Sequence, residues 1–144
     1  MYHRWAALAL VLALCAVPTK QAAGQESTAP PRGRKLGVLG QNYPNPFNPE
    51  TKIPFAVNEC VGSSQHVVSL KIYNVLAQLV AVPTLEGDPA PNQPISGLKL
   101  PCGQYTAFWD GKVRNTGREA ASGVYLYELV VDGERSARKA FVAK

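Results

Sequence analysis

Apolar and polar positions alternate with a period of two through most of the chain beyond residue 50. Ile53, Phe55 and Val57 alternate with Lys52, Pro54 and Ala56, and Val68, Leu70 and Ile72 with Ser69, Lys71 and Tyr73. That period sends successive side chains to opposite faces, so each run reads as a strand with one face buried. Pro54 has no N–H to give to a ladder, which predicts an edge position for its strand. Residues 79–82 read as a return strand after a turn at 74–78, and Tyr105, Ala107 and Trp109 share one face of a strand that stops at Asp110-Gly111. Residues 123–131 (GVYLYELVV) are rich in β-branched and aromatic side chains, and Asp132-Gly133 has the composition of a tight hairpin turn before a last strand at 137–142. Residues 83–97, with four prolines and two glycines, are predicted to be a long surface loop. About seven short strands, separated by turn signals and without a useful amphipathic helix, predict an all-β antiparallel sandwich.

The first 50 residues follow a different pattern. Arg4 precedes an apolar run over 5–17, which Pro18, Thr19 and Lys20 close before the small residues Ala22-Ala23-Gly24. This reads as a secretory signal peptide, 1–24, removed after Gly24. A membrane anchor is the alternative, but the run is short of the about 20 helical residues that a bilayer core requires, so no membrane span is expected after cleavage. A lipid-modified Cys15 is a further alternative, opposed by the bulky Leu14 before it. Residues 25–38 (QESTAPPRGRKLGV) are polar and Pro/Gly-bearing and read as a flexible leader, leaving 39–144 as the folded domain. At 42–49 (NYPNPFNP), three prolines exclude helix and sheet interior, while Tyr43 and Phe47 are apolar plugs for a core.

Cleavage after Gly24 takes Arg4 and Lys20 from the 15 basic residues, which leaves 13 against 10 acidic ones and a net charge of +3. No linear cluster of these charges with interleaved aromatics resembles a nucleic-acid surface, and solvated charge is the expected reading. Cleavage also removes Cys15 and leaves Cys60 and Cys102. An even count in an exported chain reads as a disulfide, closing a loop of 43 residues and worth about 4 kcal/mol in the chain-entropy treatment. Two separate free thiols are the alternative.

No constellation for catalysis appears, so no enzyme activity and no cofactor are expected. His66 is the one histidine left, and it reads as a loop residue in a polar stretch beside no paired carboxylate. Ser122 lacks a Gly-x-Ser-x-Gly elbow, no His/Cys cluster has zinc spacing, so that no metal site is expected, and no glycine-rich phosphate loop opens a helix. Asp110 has a calcium reading, but Lys112, Arg114 and Arg118 crowd its loop, and bonding to its own turn is the expected role. Trp109, Tyr125 and Tyr127 read as core aromatics in preference to a carbohydrate platform.

Three segments in order carry a resemblance. They are Gln41-Asn42-Tyr43-Pro44-Asn45-Pro46-Phe47-Asn48-Pro49-Glu50-Thr51, Leu70-Lys71-Ile72-Tyr73-Asn74-Val75-Leu76, and Trp109-Asp110-Gly111 followed by Ala121-Ser122-Gly123-Val124-Tyr125-Leu126-Tyr127. Together with the basic end Arg138-Lys139-Ala140-Phe141-Val142-Ala143-Lys144, the series resembles the FlgD-like immunoglobulin-type domain. It is most similar to the version that serves as the C-terminal sorting domain of type IX (Por) secretion cargo. The resemblance implies an immunoglobulin-like sandwich on a secreted or cell-surface protein. It also implies partners in an outer-membrane secretion translocon and a sortase, with recognition at the final hairpin 123–142 and at Arg138, Lys139 and Lys144. Ala77 stands where that family has glycine after its Tyr-Asn-x-x turn, and alanine resists positive φ, so a differently shaped turn is expected. The alternative role is a structural or adhesion subunit that pairs with neighbouring surface proteins or itself through edge strands.

Overall fold

Period-two runs become strands wherever one face has apolar side chains to bury. The computed structural model describes residues 33–144; the expected signal peptide and the leader up to residue 32 lie outside the described residues. The strands are β1 (Gly37–Leu39), β2 (Thr51–Val57), β3 (Gln65–Tyr73), β4 (Leu79–Ala81), β5 (Thr84–Glu86), β6 (Leu98–Pro101), β7 (Gly103–Trp109), β8 (Gly123–Val131) and β9 (Glu134–Val142). They form two antiparallel sheets, ordered β1-β2-β7-β5 and β4-β3-β8-β9, with β6 joining the outer side of β3. Ile53, Phe55, Val57, Ala107 and Trp109 from the first sheet meet Val68, Leu70, Ile72, Tyr127, Leu129 and Val131 from the second, and all are buried. The expected all-β sandwich is the observed fold. Among the described residues it has nine strands where about seven were expected, because β1, β5 and β6 are short pieces that the alternation does not announce.

Three sequence expectations change in detail. Gly37 and Val38, read as leader, belong to β1 and pair with Val57 and Ala56 of β2. Pro54 is not on an edge strand, since β2 lies between β1 and β7. β1 ends at Leu39, opposite Phe55, so the proline falls one residue past the ladder. Its carbonyl accepts the Gly40 N–H at 2.8 Å, and the Gly40 carbonyl that a residue-54 N–H would have met accepts the Tyr127 hydroxyl at 2.9 Å instead. The missing donor is thereby replaced.

The Pro-rich stretch 83–97 is also more than a surface loop. Leu85 and Ile95 are fully buried, and Leu85 exchanges backbone bonds with Gln93 and Asn92 while Ile95 N–H donates to the Pro83 carbonyl. The Ile95 carbonyl accepts the Leu70 N–H at 2.9 Å, between the stretches of β3 covered by β6 and β4. Two edges, β5 and the outer side of β3, are thus covered by this segment, which removes templates for strand pairing with another chain.

Asp132 and Gly133, at φ 46° and 85°, make the expected two-residue hairpin between β8 and β9, whose strands stay in register from Val131–Glu134 to Gly123–Val142. At the 74–78 turn Ala77 adopts φ 58°, so the turn forms in the left-handed region despite its alanine. Left-handed geometry costs a non-glycine residue about 1–2 kcal/mol, and glycine returns roughly 0.5–1 kcal/mol of that as unfolded-state entropy. Ala77→Gly is therefore expected to raise stability by about 0.5–1 kcal/mol in urea unfolding; a lower midpoint would contradict the assignment.

Candidate functional site

Residues of the first and third segments that carry the resemblance are far apart in sequence and meet at one end of the sandwich. Phe47 is buried, and its ring stands edge-on to Trp109 with centroids 5.1 Å apart; Trp109 stands edge-on to Tyr125 at 5.7 Å. Gly111 lies under Pro49 so closely that a Cβ there would be 1.7 Å from the Pro49 carbonyl oxygen, and its φ is +76°. Only glycine satisfies both conditions. Asp110 Oδ1 accepts the Lys112 N–H at 3.0 Å, the turn-closing role expected of it. Pro46 and Asn48 flank Phe47 and are exposed. Tyr43 is half exposed, so only one of the two expected plugs fills the core.

This segment fastens the last strand. Phe47 N–H donates to the Phe141 carbonyl at 2.9 Å, and Ala143 N–H donates to the Phe47 carbonyl at 3.1 Å. Asn45 Oδ1 accepts the Phe141 N–H at 3.0 Å, and Gln41 Nε2 donates to the Lys139 carbonyl at 3.2 Å. Phe47 therefore runs parallel to Val142 as a one-residue extra strand on the outer side of β9. Three prolines suit this position, because a segment that contributes a single ladder residue loses little from missing donors.

Behind it sits a buried polar knot that the sequence pattern did not single out. The Tyr127 hydroxyl accepts the Asn42 N–H at 3.0 Å while donating to the Gly40 carbonyl, and Asn42 Nδ2 donates to Thr51 Oγ1 at 3.1 Å and to the Pro44 carbonyl at 3.2 Å. Every partner is local to the 40–51 segment or reaches it from β8. The cue available in the sequence was the polar pair Asn42 and Thr51 bracketing the prolines.

The basic residues of the last strand divide into separate roles. Arg138 lies on the side of β9 that faces β1, and its Nε donates to the Leu39 carbonyl at 2.7 Å, tying the two sheets together. Lys144 pairs with Glu119 at 3.3 Å, and its N–H donates to Ser122 Oγ at 3.2 Å. Lys139 points outward, opposite Leu126, with no ion-pair partner among the described residues. Around it, Val124, Leu126 and Phe141 are exposed apolar side chains, and Arg135 holds Glu128 at 3.4 Å. A shallow depression of about 350 Å³ opens in this face between Tyr73, Val75, Leu126 and Ala137.

No family model, curated protein or solved structure matches the chain. The site is therefore read from its own chemistry.

At the opposite end, Cys60 and Cys102 form the expected disulfide, with Cα atoms 5.7 Å apart. His66 corrects the sequence reading twice. It lies on β3, 9% exposed, and it has a carboxylate beside it: Nδ1 bonds Asp132 Oδ2 at 2.5 Å and Nε2 faces the Glu59 carbonyl at 3.3 Å. Asp132 is at the β8–β9 turn, and its Oδ1 also accepts the Val67 N–H at 2.8 Å. Sequence separation hid the pair, because 66 positions divide its members.

The bond to Asp132 raises the His66 pKa above its ordinary value against the lowering effect of burial. The bonds from His66 and the Val67 N–H lower the Asp132 pKa. A raised histidine pKa gives stability that is complete below the unfolded value near 6.5 and is lost as pH rises through the folded value. A lowered carboxyl pKa gives stability present above its unfolded value near 3.8 and lost as pH falls through the depressed one. The pair is thus most stabilising between those two limits. Asp132→Asn is expected to cost more stability at about pH 5 than at about pH 9; a pH-independent difference in urea midpoints would contradict the pairing.

Proposed function

We propose that this protein is a secreted or cell-surface, non-catalytic immunoglobulin-like module of the type IX sorting and anchoring kind. In this reading its last hairpin carries the surface that an export or anchoring partner reads. The observation that carries the reading is the division of β9 into two faces. Ser136, Arg138, Ala140 and Val142 turn toward the sandwich, whereas Arg135, Ala137, Lys139 and Phe141 turn outward and are exposed. With Val124 and Leu126 they make one face that combines basic and apolar groups. Such a face supports binding through side chains, with aromatic and aliphatic anchors and a charged rim.

The same division decides how the reading is tested. Removing residues 134–144 would strip Ala140 and Val142 from the core, so loss of delivery would report misfolding. Arg135→Glu with Lys139→Glu changes only the outward face, and Lys99→Glu on β6 serves as a charge-reversal control on another strand. The expected result is that the double variant keeps its β-sheet circular dichroism and its disulfide but no longer reaches the surface fraction of the producing cells, while Lys99→Glu is delivered normally. Unchanged delivery of the folded double variant would overturn the proposal.

A further inference from the structure

The disulfide end of the sandwich places a histidine beside the two cysteine sulfurs. The two sulfurs of Cys60 and Cys102 and a ring nitrogen of His66 all lie within 4.8 Å of one another. Three separate elements bring them there: the β2–β3 loop, the turn between β6 and β7, and the start of β3, where His66 pairs with Leu100 of β6. Local sequence spacing gives no sign of the group, and only the β3–β6 pairing assembles it. We propose that the reduced chain binds one zinc(II) ion through Cys60 Sγ, Cys102 Sγ and His66, so that the disulfide and the metal are mutually exclusive states of one site.

The geometry fits that ion. Zinc takes thiolate sulfur at about 2.3 Å and imidazole nitrogen at about 2.0 Å in a tetrahedron. Two sulfurs on the ion then stand about 3.8 Å apart, a span that ligand atoms within 4.8 Å accommodate by side-chain rotation. Asp132 supplies the outer partner that metal-bound histidines commonly have: it holds Nδ1, and Nε2 is the ligating nitrogen once its 3.3 Å contact with the Glu59 carbonyl gives way to the ion. Asp132 is itself fixed by the Val67 N–H, so the ring is oriented before any ion arrives. Cys102 is exposed and Cys60 and His66 are more enclosed, which gives an ion and a reductant a way in from solvent. A water would complete the fourth position.

The chemistry balances with a dithiol reductant. Thiol–disulfide exchange transfers two electrons and two protons from the dithiol to Cys60–Cys102, leaving two protein thiols and an oxidised dithiol. Zinc binding then releases the two thiol protons and the Nε2 proton that faces the Glu59 carbonyl to solvent as the three atoms coordinate. Reoxidation of the sulfurs ejects the ion.

Cobalt(II) reports on this site directly. The full chain is reduced with a dithiol, freed of it without oxygen, and titrated with cobalt(II) and then zinc(II), while circular dichroism follows the fold. The expected result is one ion per chain, with thiolate-to-cobalt charge transfer and tetrahedral d–d bands. Zinc should displace the cobalt and shield both thiols from alkylation. The disulfide form and Cys60→Ser should give no bands, and Asp132→Asn should weaken binding about 10–100-fold while keeping the fold. His66→Gln should lose the tetrahedral bands. Three results would overturn the proposal: thiols alkylated equally fast with and without zinc, binding unaffected by His66→Gln, or a reduced chain that loses its sheet spectrum and does not regain it with zinc.

Discussion

Phe47→Ala is expected to destabilise the domain by about 3–5 kcal/mol, the range for truncating a buried phenylalanine. The side chain is 2% exposed and packs on Trp109, and the segment that carries it is held close, with Pro49 pressed onto Gly111. A domain of this size has roughly 5–15 kcal/mol in total, so the loss is a large share of it. The melting temperature should fall by about 15 °C, at about 4 °C per kcal/mol for a chain of this length. Asn45→Ala, which removes only the acceptor for the Phe141 N–H, should cost no more than about 1–2 kcal/mol. Equal effects from the two substitutions would mean that the ring is not the anchor. The comparison separates packing from edge bonding.

The second large effect belongs to the disulfide. Cys60 and Cys102 are 42 positions apart, and a closed loop of that length restricts the unfolded chain by about 4 kcal/mol in the chain-entropy treatment. The double substitution Cys60→Ser with Cys102→Ser should lower stability by roughly that amount in metal-free urea unfolding, with the folded spectrum unchanged. Most of the effect should appear in the unfolded state, so the slope of the urea dependence should rise as the freed chain exposes more surface. A variant as stable as the disulfide form would contradict this account of the bridge.

Much of the fold was legible because alternation is a local signal. Ile53, Phe55 and Val57 in β2, and Val68, Leu70 and Ile72 in β3, are buried as their spacing requires, and Asp132-Gly133 turns the final hairpin as its composition requires. What was not legible depended on long-range partners. Leu85 and Ile95 were hidden in a Pro-rich stretch because each is a lone apolar residue whose place is set by distant strands. Pro54 predicted an edge, but whether a strand is an edge depends on where its neighbour stops, and β1 stops one residue short of it. At the candidate site, the Asn-Pro-Phe-Asn-Pro run could be read as a rigid plug, whereas its bonds to Phe141 and Ala143 could not, since they join residues about a hundred positions apart. Likewise, the sequence showed Arg138, Lys139 and Lys144 as one basic group. Strand parity and the partners Leu39 and Glu119 give them three different surroundings.

In the proposed reading, the outer edge of β9 is closed around residues 141–143, so that a partner there would meet side chains, while the edge nearer the hairpin stays open. Phe141 turns its N–H and carbonyl away from β8 toward Asn45 and Phe47, and by strand alternation Ala137 turns its own backbone groups outward as well. Residue-resolved amide hydrogen exchange on the full chain distinguishes a fastened edge from a bare one. The amides of Phe47, Phe141 and Ala143 are expected to exchange as slowly as those of the buried β3 and β8 ladder, and more slowly than that of Ala137. Exchange at Phe141 and Ala143 as rapid as at an unpaired edge would contradict it.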